Sequence, residues 1–143
     1  MQLTLESDYA IRIIAVVAEG WSDPQNGENT ASVRMDAKSI SDISGVPLRF
    51  SLKILRKLVA GGLVKSYKGT RGGYELAKAP NEISVLDVVE ITEGKVHINR
   101  CISKDFICTR PNEGPCKFKK CFDDISAEIR TSMQKITFDR FIE

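Results

Sequence analysis

Residues 43–77 read ISGVPLRFSLKILRKLVAGGLVKSYKGTRGGYELA, and the fold turns on how that run divides. Gly45 falls where a tight turn is wanted, and Pro47 suits the first position of a helix. The helix predicted over Leu48–Ala60 buries Leu48, Leu52, Leu55, Leu58 and Val59, while Arg49, Lys53 and Arg56 recur about one turn apart on its other face. Gly61–Gly62 stop it. LVKSY alternates as a strand does, KGTRGG is a glycine-rich turn, and YELA returns as a second strand. Upstream, Asp36 caps a short helix running to Ser44 that buries Ile40 and Ile43. A short helix, a tight turn, a basic helix and a basic hairpin, in that order, describe a winged helix-turn-helix.

Charge follows the same division. Between Ile43 and Tyr74 there is no acidic residue, while Arg49, Lys53, Arg56, Lys57, Lys65, Lys68 and Arg71 supply seven positive charges. Residues 81–143 hold ten basic and eleven acidic residues, so the net charge of +2 hides the asymmetry. A basic block inside a patterned segment is the electrostatic footprint of a nucleic-acid face. The candidate DNA-binding residues are Arg49, Ser51, Lys53 and Arg56 on the helix and Lys68 and Arg71 on the hairpin. The helix would enter the major groove, and Arg71, set among Gly69, Gly72 and Gly73, would reach a phosphate or the minor groove.

Farther out, Ser7 or Asp8 can cap a first helix over Asp8–Glu19 that ends at Gly20. Residues 21–35 contain Pro24, Asn26–Gly27 and Asn29, which predicts a loop or hairpin tip with a short strand near Ser32–Met35. Ser84 caps a helix over Val85–Thr92, closed by Gly94. From Phe122 to Thr137 a seam of Phe122, Ile125, Ile129, Met133 and Ile136 predicts a long amphipathic helix, which could pack on its own domain but reads better as the kind that pairs two-fold DNA-binding dimers. The fold class is therefore mostly α with a small β-hairpin wing, plus a long C-terminal dimerisation helix. It divides into a winged helix-turn-helix (1–80), a linker helix and cysteine-bearing loop (81–121), and the dimerisation helix with its tail (122–143).

All four cysteines fall in CISKDFICTRPNEGPCKFKKC, Cys101 to Cys121, with spacing C-x6-C-x7-C-x4-C. The opening MQLTLESDYA has no basic region before an apolar run, and no apolar stretch is long enough to span a bilayer. The expectation is a cytoplasmic protein with reduced thiols and no membrane partner, which favours metal or redox chemistry over a disulfide framework. Lys104, Arg110, Lys117, Lys119 and Lys120 place positive charge around these thiols. The same thiolates suit an iron–sulfur cluster, a tetrahedral zinc or a reversible thiol switch. His97, the one histidine, could ligate but reads better as hydrogen-bonded. With that one His, no Ser–His–Asp set, no phosphate loop before a helix and no HExxH, the chain is not expected to be an enzyme.

The opening SDYAIRII, the helix-turn-helix ISGVPLRFSLKILRKLVAGGLV and the wing with its following helix, KGTRGGYELAKAPNEISVLDVVEITEG, together resemble the Rrf-two family of bacterial regulators (IscR/NsrR-like). The likeness runs from Leu3 to about Thr137. It implies a cytoplasmic homodimer that binds double-stranded DNA at palindromic operators, as a repressor or an activator. Members with three cysteines before the long helix carry a 2Fe-2S or 4Fe-4S cluster there, which implies Cys101, Cys108 and Cys116 as ligands. Cys121 is extra and is one candidate for the fourth ligand. Asp8 is the other, because some relatives complete the cluster with a carboxylate from the partner's first helix, although an Asp there can also simply cap that helix. The resemblance implies sensing of iron–sulfur status, redox state or nitric oxide. The alternatives are a zinc or thiol-switch site, metabolite or partner sensing, and a zinc-stapled protein-interaction module.

Overall fold

Thr4, rather than Ser7 or Asp8, starts the first helix: its side chain accepts the Ser7 backbone N–H at 3.2 Å, so α1 spans Leu5–Glu19. Asp8 lies one turn inside the helix and pairs with Arg12 at 2.8 Å. A computed structural model describes residues 2–23, 32–102, 105–110 and 114–142. The expected hairpin tip at Pro24, Asn26–Gly27 and Asn29 lies outside the described residues. In place of the short strand expected near Ser32–Met35 there is a single bridge, Met35 pairing with Tyr74 through two backbone hydrogen bonds of 3.0 and 2.8 Å.

Asp36 caps α2 (Ala37–Ser44), accepting the Ser39 N–H at 2.9 Å. Ile40 is buried as expected, but Ile43 is 58% exposed because it falls on the outer side of so short a helix. Gly45 then takes a left-handed φ of 69°, open to glycine at no steric cost, and turns the chain into α3 (Leu48–Ala60). The buried face of α3 is Ser51, Ile54, Leu55 and Leu58. Leu48 stays exposed, and Leu52 and Val59 are only half-buried, so the inner face lies about one residue round from the expected stripe.

The wing is an antiparallel pair, β1 (Val64–Tyr67) and β2 (Gly73–Leu76), in register Val64 to Leu76 and Tyr67 to Gly73. Gly73, at φ 132°, cannot be replaced cheaply: a Cβ there would stand 2.8 Å from the Met35 carbonyl oxygen. Glycine at that point lets the segment before α2 lie against the wing. Leu63, Val64 and Leu76 anchor the base of the hairpin in the core.

The core does not stop at residue 80. Ser84 and Asp87 form a capping box that starts α4 (Val85–Glu93), and Val88 and Ile83 join Ile13, Ile14, Val17 and Leu55 in one cluster. Trp21 packs on the same cluster. The long helix α5 spans Lys117–Gln134, beginning earlier than Phe122 because Cys116 caps it. After it the chain returns: Val85 N–H donates to Ile136 O at 2.9 Å, Phe138 N–H donates to Ile83 O at 3.1 Å, and Phe138 is fully buried. The tail assigned with the dimerisation helix is thus part of the first core. Phe138→Ala is expected to cost about 3–5 kcal/mol of stability through the cavity it leaves. A denaturant midpoint unchanged from wild type would contradict that packing.

Candidate nucleic-acid interface and cysteine hollow

The turn between α2 and α3 is fastened through one carbonyl. The Val46 oxygen accepts the Ser41 hydroxyl at 2.6 Å and the Ser51 hydroxyl at 3.1 Å. Ser51 is wholly buried, so the expectation that it contacts DNA is corrected: its hydroxyl is directed to the turn, because position 51 lies on the core side of α3. Arg49, Lys53 and Arg56 are exposed on the outer face, as expected from their spacing. Pro47 precedes α3 with no side-chain cap and no acidic residue follows in its first turn, leaving the positive end of the helix facing out.

Lys53 is less free than its exposure suggests. Glu6 of α1 holds Lys57 at 2.6 Å and Lys53 at 3.5 Å. The Lys57 hydrogen bond keeps the Glu6 carboxyl below the ordinary glutamate range. A carboxyl depressed in the folded state contributes stability above its unfolded pKa and loses it as pH falls through the folded value. Glu6→Gln is therefore expected to lower stability at about pH 7 and to make little difference near about pH 3. Denaturant unfolding of both proteins at the two pH values checks the sign.

Lys68 and Arg71 lie at the exposed wing tip, residues 68–72. Arg34, which falls outside the basic block, reaches the same tip from the segment before α2. Its guanidinium carbon stands 3.5 Å from the Tyr67 ring centroid, its NH1 donates to the Arg71 carbonyl at 3.2 Å, and its Nε is 3.6 Å from Glu75. The Met35–Tyr74 bridge brings these groups together across the chain, so no local pattern in the sequence marks Arg34.

The cysteines gather at the other end of the chain. Cys101, Cys108 and Cys116 line one hollow of about 740 Å³, with Phe106, Phe118 and Phe122 on its walls. Cys116 Sγ accepts the Lys119 backbone N–H at 3.3 Å as the N-cap of α5, and the Arg110 guanidinium contacts the same sulfur. Lys119 is held above the ordinary lysine value first by its hydrogen bond to Asp123 and, to a lesser degree, by the sulfurs of Cys101 and Cys116. All four thiols are free. The donor set suits a thiolate-bound group in type and placement, with cationic and backbone donors beside the sulfur. Among the described residues, however, no three His, Cys, Asp or Glu side chains are gathered closely enough to hold a metal ion. Lys104 lies outside the described residues.

Neither candidate fourth ligand lines the hollow. Cys121 sits on the exposed surface of α5, and Asp8 is engaged with Arg12 on α1. His97 is exposed, with Nδ1 2.7 Å from the Lys95 carbonyl, and is likewise absent from the hollow. The apolar seam is uncovered on α5 at Phe118, Phe122 and Ile125 and beyond its end at Ile136, and half-buried at Ile129 and Met133, while Ser126, accepting the Ile98 N–H at 3.1 Å, and Arg130, paired with Glu90, hold the helix to its own protomer. No helix among the described residues is long and apolar enough to cross a membrane.

Comparison with known proteins agrees with this architecture. The family model described as "Rrf2: Iron-dependent Transcriptional regulator" matches residues 3–143. The HTH-type transcriptional regulator NsrR of Shouchella clausii is 31% identical over 105 residues, 73% of this chain and 64% of that protein. The solved structure of T. potens IscR superposes with a TM-score of 0.71 at 22% identity, covering 97% of this chain and 84% of that one. CymR of B. subtilis, described as its global cysteine regulator, gives 0.70 at 21% identity over 97% of this chain and 94% of that one.

Proposed function

Because the chain belongs to the Rrf2 family of DNA-binding transcriptional regulators and not to an enzyme family, we propose that it acts as a homodimer on a palindromic operator, probing DNA with α3 and the wing, under the control of an iron–sulfur cluster. The observation that carries this reading is the hollow itself: three thiols line one cavity at the start of the helix whose apolar seam is left uncovered at Phe118, Phe122 and Ile125. Cys101, Cys108 and Cys116 would hold the group, with Cys121 or Asp8 of the second copy as the fourth ligand. Such a cluster supplies redox and nitric oxide reactivity. The residues of this chain supply the rest: Arg110 and the Lys119 N–H steady Cys116, and α5 carries the hollow's state to the dimer seam.

Arg49 and Arg56 on α3 and Lys68 and Arg71 on the wing are the proposed DNA contacts, with Lys53 shared between DNA and Glu6. The second copy would cover Phe118, Phe122 and Ile125, setting the distance between the two copies of α3 and hence the half-site spacing. Change at the hollow would then shift the population of DNA-competent dimers, a coupling between two sites. Whether the outcome is repression or activation depends on where the operator lies.

A second reading, a zinc site or a thiol switch in the same hollow, rests on the same free thiols, with the Arg110 guanidinium beside Cys116. Anaerobic purification with an absorbance spectrum and iron, sulfide and zinc analysis separates them. Iron and sulfide near stoichiometric with protein support the cluster. A colourless protein with zinc, or with no metal under strict anaerobiosis, rejects it and leaves DNA binding untouched.

A further inference from the structure

The wing tip carries Arg71 on a five-residue turn, closed within itself by the Gly72 N–H donating to the Gly69 carbonyl at 2.9 Å. A contact from outside the hairpin, Arg34 to the Arg71 carbonyl, adds to that closure. The segment before α2 crosses beside the wing through the Met35–Tyr74 bridge, and that crossing places Arg34 over the hairpin's face. Tyr67 and Glu75 lie on that face, and Gly73, the residue opposite Tyr67, has no side chain to obstruct it. Tyr67 donates its hydroxyl to Glu75 at 2.7 Å, so ring and carboxylate form one platform.

We propose that Arg34 is a positioning residue for DNA binding: stacked on Tyr67 and braced by Glu75, it holds the Arg71 carbonyl and so presents the Arg71 side chain to the duplex. This rests on the reading that Arg71 contacts DNA. The guanidinium suits the task because it is planar. One face stacks on the ring while the edge donates in fixed directions, toward Glu75 from Nε and toward Arg71 from NH1. A lysine in its place would keep the charge and lose both the stack and the fork. Arg71 itself remains exposed, its backbone tethered and its side chain outward. Glu75, the first acidic residue after the basic block, is offset by Arg34 and so does not repel the phosphates beside the wing.

Two measurements test this on the full-length protein. Trypsin cleavage after Arg71, followed by mass spectrometry, reads the freedom of the tip without DNA. R34A and R34K should each raise that cleavage about tenfold over wild type at an unchanged melting temperature. If either variant fails to fold, R34Q provides the same reading. The second measurement is a double-mutant cycle of R34A and R71A, read as affinity for a duplex selected from random sequence at fixed salt. Acting through Arg71, Arg34 should matter only while Arg71 is present, so R34A/R71A should bind like R71A alone. Equal losses from R34A in both backgrounds would overturn the proposal, since Arg34 would then act on DNA directly. Unchanged cleavage at Arg71 would overturn the brace. If R71A binds as wild type does while R34A still loosens the tip, it is the wing-contact reading that has failed, and the proposed DNA role of Arg34 is overturned with it.

Discussion

The triple variant R49E/R56E/R71E should lose operator affinity by roughly a thousandfold or more at about 0.1 M salt. Each of the three side chains is exposed, on the outer face of α3 or at the wing tip. Each is a formal positive charge in a block without acids, so reversal removes an attraction and adds a repulsion at the same place. Lys53 is left out because its ammonium already lies 3.5 Å from Glu6, and its removal would mix folding with binding. The salt dependence gives the sharper reading. Binding should become less steep by about 0.9 in log–log slope for every phosphate the variant no longer neutralises. Thermal stability should barely move, since none of the three side chains is buried. Tight binding with an unchanged slope would place the DNA face elsewhere on the molecule.

The second large effect is expected at Cys116. C116S should retain less than about a tenth of the wild-type iron and sulfide after anaerobic purification, because a cluster needs a thiolate that a serine hydroxyl does not supply. Cys116 is the most fixed of the thiols: it caps α5, accepts the Lys119 N–H at 3.3 Å and touches Arg110. C101S and C108S should lose the group as well, since both line the same hollow. C121S and D8N then identify the fourth ligand: whichever loses the group supplies it. If all three hollow variants carry iron and sulfide as wild type does, the cluster assignment fails. DNA binding of the apo-variants should stop responding to nitric oxide or oxidation while keeping its salt slope, which separates the sensor from the reader.

Much of the molecule is legible from spacing, and the exceptions have physical causes. The bounds of α3, Leu48–Ala60, come from a proline at its start and a glycine pair after its end. Its outer face comes from basic residues one turn apart. Its inner face departs from the expected stripe: Leu48 is exposed and Ser51 is buried, although hydropathy alone prefers the leucine. The serine can be buried because its hydroxyl, with that of Ser41, satisfies the Val46 carbonyl at a tight buried turn. For the same reason Ser51 is expected at the DNA face and is not there. At the cysteine hollow, residue type and order indicate thiolate chemistry, and the grouping of Cys101, Cys108 and Cys116 is expected from a resemblance rather than from spacing.

By itself, then, the sequence determined the order of helices and wing, the caps at Asp36 and Ser84, the basic face and the apolar seam of the long helix. Each arises from interactions a few residues long: a side chain reaching its own backbone, or a repeat matching the helical turn. Only the tertiary structure decided that Phe138 returns to the first core, that Glu6 holds Lys57 and Lys53, that Arg34 braces the wing tip and that three thiols share one hollow. Apart from the thiols, these contacts join residues far apart in the chain. Their partners are chosen by which surfaces the packed helices bring together, and no local periodicity carries that information.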